Sequence, residues 1–131
     1  MSGRLTPAFE EVVFALNANA QLATQGFFIC NRATGLEVTD VREIHSAAGT
    51  DAGAVTIDVF KDTGTGAPGS GASVLSATFN AKGTANTVQV GSLAASQAAR
   101  QLAQGDRLSI KFTGVLTALA GVQLCVTLKR L

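Results

Sequence analysis

His45 is the only histidine in the 131-residue chain. A hydrolytic triad would need it to activate a serine while an aspartate orients its ring. The adjacent Ser46 points to the opposite face of a strand, and no serine sits in the sharp strand-to-helix turn of a nucleophile elbow. The spacing therefore favours a strand histidine that is partly exposed or paired with a neighbour. Cys30 and Cys125 lie far apart in sequence, and with one histidine they match no zinc spacing. They are either a disulfide between strands or two inert buried thiols. The N-terminus carries no apolar secretion segment, and a reducing compartment disfavours the disulfide.

Asp51, Asp58 and Asp62 resemble a calcium loop only loosely. They lack the every-second-position carboxylates and closing glutamate of an EF-hand, and turn aspartates usually bond their own backbone. The glycine-rich run Thr63-Gly64-Thr65-Gly66-Ala67-Pro68-Gly69-Ser70-Gly71 has neither the terminal Lys-Ser or Lys-Thr pair nor the following helix of a phosphate cradle. It reads as a flexible hairpin loop projecting from the domain. Seven Phe with no Trp or Tyr suit a core better than a sugar- or base-stacking surface, with Phe14, Phe27, Phe79 and Phe112 the main core candidates. No catalytic, metal or cofactor site is expected, and the chain reads as a non-enzyme.

Charge narrows the partners further. Ten basic and nine acidic residues give a net charge of +1. The basic residues are scattered, whereas nucleic-acid binding needs them clustered to displace counterions from phosphates. No apolar run reaches the ~20 residues of a membrane-spanning helix. Charged residues make up 15% of the chain and hydrophobic ones 47%, so the surface must be unusually neutral, as is common where a protein packs against copies of itself or a partner and in many small β proteins generally.

The elements that carry these residues are strands. Val55, Ile57 and Val59 alternate with polar neighbours, as do Leu108, Ile110 and Phe112. Val122, Leu124, Val126 and Leu128 alternate most cleanly of all. This is the period of antiparallel sheets with one buried face, and it predicts burial of Ile57, Val59, Phe112, Leu124 and Val126. Glu10–Leu16, Gly26–Asn31, Leu36–Ser46, Ser73–Asn80 and Thr87–Leu93 are further strand candidates. Leu36 and Val38 share a parity that Val41 breaks, which a β-bulge near Thr39-Asp40 would reconcile, as would two short strands.

Ser92–Gln104 alone competes for helix, as an Ala-rich connection of one or two turns that Gly105 could cap. Eight short strands separated by glycine turns predict an all-β fold: an eight-stranded antiparallel β-sandwich of the jelly-roll type with an extended N-terminal arm. The division expected is 1–25 for the arm and first strand and 26–131 for the sandwich. The first nine residues show no apolar period and read as an arm ordered by whatever holds it.

Three segments carry a family resemblance. Val41–Val59 (VREIHSAAGTDAGAVTIDV), Ala77–Leu93 (ATFNAKGTANTVQVGSL) and Leu102–Gly114 (LAQGDRLSIKFTG) resemble the small jelly-roll head decoration, or cement, proteins and fibre domains of tailed bacteriophages. The Gly105-Asp106 turn is similar to one that leads into a core strand of the trimeric C1q and tumour-necrosis-factor jelly rolls. The resemblance spans roughly Leu36 to Leu128 and brings no motif residues with a chemical role; Met1 to Gln25 has no counterpart.

It implies a structural virion protein, made in the host cytoplasm, that sits on the outer capsid surface and stabilises the shell. Its partners would be the major capsid protein and itself, as a homotrimer. The alternative is a head-fibre or tail-associated jelly roll that reads a host surface with its loops. The arm residues Arg4, Leu5, Pro7 and Phe9 are the expected partner contacts, and Phe60, Leu116 and Cys125 the expected contacts between copies.

Overall fold

A computed structural model describes residues 9–131. Its strands are β1 (Phe9–Leu16), β2 (Gln25–Ile29), β3 (Leu36–Ile44), β4 (Thr56–Asp62), β5 (Ala72–Ser73), β6 (Phe79–Asn80), β7 (Gln89–Val90), β8 (Gln101–Leu102), β9 (Arg107–Thr113) and β10 (Val122–Arg130). Helix is confined to a 3-10 turn at Asn19–Gln21 and the single turn α1 (Gln97–Arg100). One sheet runs β1-β10-β3-β7 with β8 also on β3, the other β2-β9-β4-β5 with β6 also on β4. Every pairing is antiparallel.

The described strands number ten rather than the expected eight. If β5 with β6, and β7 with β8, are each read as one interrupted strand, the two sheets have the strand order of a jelly roll. Sequence explains the interruption. Val74 and Leu75 are consecutive and both buried, which a continuous strand with period-2 side chains does not allow.

The alternating segments face inward as their period requires. Val55, Ile57, Val59, Leu108, Ile110, Val122, Leu124, Val126 and Leu128 are essentially fully buried, and Phe112 nearly so. The parity break in β3 is a bulge: Asp40 pairs with Thr127 and Val38 with Leu128, so Thr39 is left over. Its hydroxyl donates to the Thr127 carbonyl at 3.2 Å.

Two local expectations change. α1 ends at Arg100, and Gly105, at φ +94°, turns the chain between β8 and β9 instead of capping a helix. The glycine-rich loop is tied down. Gly69 and Gly71 donate backbone N–H bonds to Asp62, and Arg107 donates to the carbonyls of Gly64 and Gly66. Gly71 lies so close to Lys61 that a Cβ there would strike backbone.

Phe112→Ala should cost about 3–5 kcal/mol through lost burial and the cavity left behind. Urea unfolding measures it, and a change of only a few tenths would mean that the register of β9 is wrong.

Candidate functional site

The polar chemistry of the described residues is concentrated in two buried clusters. The first grows from the register of β3. Val41, Glu43 and His45 share a parity, and the bulge at Thr39 turns that parity inward. Glu43 and His45 are thereby fully enclosed at the end of the sandwich.

His45 Nδ1 lies 2.5 Å from Glu43 Oε1, and Nε2 lies 2.9 Å from the Gly83 carbonyl. Gln89 Nε2 donates to the other Glu43 oxygen at 3.2 Å, and the backbone N–H of Asn86 donates to the His45 carbonyl at 2.7 Å. One residue thus holds the loop from β6 to β7 by side chain and main chain together.

With Glu43 ionised both ring nitrogens face acceptors, as the doubly protonated imidazolium requires; burial raises the Glu43 carboxyl, and a protonated Glu43 donating to Nδ1 of a neutral ring makes the same contacts. Burial alone would push the imidazole down. The hydrogen bonds to Glu43 and Gly83 outweigh it and hold His45 above its ordinary range. With Nε2 committed to a carbonyl, the ring has no lone pair to offer a nucleophile. Ser46 donates to the Ala120 carbonyl instead.

The second cluster anchors the glycine-rich loop to the other sheet. The buried Asp62 accepts from Ser109 Oγ at 2.7 Å, and Ser109 Oγ accepts from the Gly69 N–H at 2.9 Å. Asp58 accepts from Ser73 Oγ and from the Val59 backbone, so it is not gathered with Asp62. Among the described residues no three His, Cys, Asp or Glu side chains come together in a way that could hold a metal ion.

Of the expected partner contacts, Arg4, Leu5 and Pro7 lie outside the described residues. Phe9 opens β1 with 55% of its surface exposed. Leu116 is partly buried and packs against the core. Phe60 is half-buried with Lys111 Nζ 4.9 Å above its ring.

Both cysteines are free thiols: Cys30 is buried, and Cys125 lies on the outer side of β10. Burial, and then the carboxylates of Glu11 and Asp40, push the Cys125 thiol up, which makes it a poor nucleophile.

The outer face of the β1-β10-β3-β7 sheet supplies what sequence reading had not singled out. Val13, Cys125, Arg42 and Val90 form one cross-strand row. Val13 and Val90 are 58% and 60% exposed. Beside them Val88, Ile44, Gln123 and Cys125 line a shallow depression. Alternation marks both parities of a strand, and nothing in its period says that an apolar residue will lie outside.

The chain matches no protein-family model and no curated protein. Among solved structures it is similar to a chain described under the words "Bacillus endospore appendages form a novel family of disulfide-linked pili". That match has 16% identity, covers 100% of this chain and 99% of the other, and has a TM-score of 0.39.

Replacing His45 by Ala strands the buried Glu43 carboxylate and should cost about 3–5 kcal/mol. Because the folded-state pKa is raised, the stability that His45 supplies is fully present below about pH 6.5, its ordinary value, and is lost as pH rises through the raised one. Thermal melts from mildly acidic to alkaline pH should show this fall in wild type and its absence in His45→Gln. A flat wild-type profile would refute the imidazolium.

Asp62→Ala should leave the Ser109 hydroxyl and the Gly71 N–H without their acceptor, at about 1–3 kcal/mol each. Limited proteolysis should then cut within residues 63–71 of the variant and spare the wild type.

Proposed function

We propose that this chain is a structural virion protein: a decoration protein that binds and stabilises the shell of major capsid subunits of a tailed phage and trimerises on the particle. The observation that carries the reading is the distribution of chemistry in the fold. The buried acid, imidazole and hydroxyl groups of the two clusters are spent on holding loops. The outer face of one sheet presents Val13, Val88 and Val90 to solvent.

These valines surround an exposed Arg42–Asp40 ion pair; apolar positions add contact area with little charge to desolvate, and unpaired buried charge is the costly part of such contacts. Contacts repeated over a shell add through avidity, so no single one need be strong.

Phe60 and Cys125 lie on the outer sides of opposite sheets. Contacts that join two different patches are head-to-tail, the kind a three-fold uses where the rotation between copies closes. A host-reading fibre module is the weaker reading, since the glycine-rich loop it would read with is pinned and carries no aromatic side chain.

Purified protein mixed with undecorated capsids should co-sediment and saturate at a fixed ratio to the major capsid protein. A chain lacking residues 1–7 should fold but bind more weakly. Failure of the full chain to coat the shell, or equal binding by the deletion variant, would count against shell binding and the arm respectively.

A further inference from the structure

The two open sides of the sandwich are finished differently. On one side residues 74–76 bond residues 92–94, through Ala94 N–H to the Val74 carbonyl, Ser76 N–H to the Ser92 carbonyl and a Leu75–Leu93 bridge. These bonds stitch the sheets together along their interrupted edge strands. On the other side, among the described residues, β1 pairs only with β10 and β2 only with β9.

The seam between β1 and β2 is apolar. Val12, Phe14, Phe27 and Phe28 are only partly buried there, and the Phe14 and Phe27 rings stack at 5.1 Å.

The two strands on this side also differ as edges. Natural sheets blunt a free edge with short strands, bulges, proline or lysine. The β5–β6 and β7–β8 edges are broken into two-residue pieces, and β2 is five residues long with a bulge between Gly26 and Phe28. β1 is neither short nor bulged and has no proline or lysine; its charges are Glu10 and Glu11, near one end. It runs eight residues, FEEVVFAL, in unbroken register with β10 from Phe9↔Lys129 to Leu16↔Val122.

We propose that the free edge of β1 is a self-association site, where β1 of a second copy adds antiparallel about a two-fold axis through Val13. The strand is complementary to itself in that register. Val13 meets Val13 of the second copy on the outer face. On the inner face Val12 meets Phe14 and Phe14 meets Val12, which are the aromatic–β-branched pairs that stabilise antiparallel ladders.

Glu11 falls opposite Ala15, four positions from the Glu11 of the second copy. That is about 13 Å along the strand, beyond the screening length in physiological salt. Glu10 falls opposite Leu16 and keeps its bond from Arg130 Nε at 2.9 Å. The pairing covers the open seam of both copies and brings the two Phe14–Phe27 stacks together. It uses neither Phe60 nor Cys125 as a contact, so it is compatible with a three-fold through the outer faces.

Sedimentation equilibrium of the full chain and of Val13→Lys tests the site. Val13 is largely exposed, so the variant should keep the wild-type circular dichroism and melting temperature, while two ammonium groups would meet on the two-fold axis. The wild type should sediment as an even multiple of the protomer and the variant at half that mass, whether dimer to monomer or hexamer to trimer.

Hydrogen exchange supplies a second readout. The β1 amides that face the free edge should be protected in the wild type and exchange at least about tenfold faster in the variant. A wild type that stays monomeric or trimeric, an unchanged mass in the variant, or equal exchange in both would overturn the proposal. Val13 also belongs to the outer face offered to the shell, opposite Cys125, so the exchange of the free-edge β1 amides, read with no capsid present, is the readout that separates this site from shell binding.

Discussion

β10 is hydrogen-bonded along both sides, to β1 on one and β3 on the other, and the rest of the fold is arranged around that constraint. A strand in this position has one free variable, its parity, and a slip of one residue would turn Val122, Leu124, Val126 and Leu128 out to solvent. Burying those four side chains is worth about 6–12 kcal/mol by transfer from water, comparable with the whole net stability of a small domain. The register of β10 is therefore strongly determined. Through it β3 is placed, bulge included, and through β3 the Glu43–His45 pair.

The bulge links packing to polar chemistry. With Thr39 left out of the ladder, Leu36 and Val38 before it and Val41, Glu43 and His45 after it all face inward. An unbroken strand would bury only one of these sets. The consequence is a carboxylate inside the sandwich, and the imidazole two residues on, with Gln89 and the Gly83 carbonyl, makes that burial tolerable. Asp62 solves the matching problem on the other sheet, where the backbone N–H groups of a tight glycine turn need acceptors and a buried carboxylate needs donors.

Much of this was legible in the residues. The alternation of β4, β9 and β10 gave their faces, and the parity break at Val41 located the bulge to within a residue. The partnership of His45 was half-legible: i and i+2 in a strand share a face, so Glu43 was the side chain to look for. The fastening of the glycine-rich loop was not legible, because Asp62, Ser109 and Arg107 reach it from strands brought together only by the long-range pairing of β4 with β9. The outward Val88 and Val90 escaped for the opposite reason, since period-2 patterning assumes that apolar residues face in. Arg4, Leu5 and Pro7 lie outside the described residues, and Phe9 is the one arm position whose surroundings are known.

The way this domain treats its edges connects fold to assembly. A sandwich has four sheet edges, and each unpaired ladder is an invitation to another strand. Here two edges are cut into fragments and bound to each other, a third is shortened and bulged, and the fourth is long and regular with apolar side chains on both faces. Had the same sequence served only to stay monomeric, a lysine or a bulge in β1 would have cost little, because the strand's outward positions make no contribution to the core. The protection given to three edges and withheld from one is the pattern expected of a domain whose neighbours are part of its structure. The neutral composition points the same way: a low charge density lowers the desolvation cost of every contact such a domain makes.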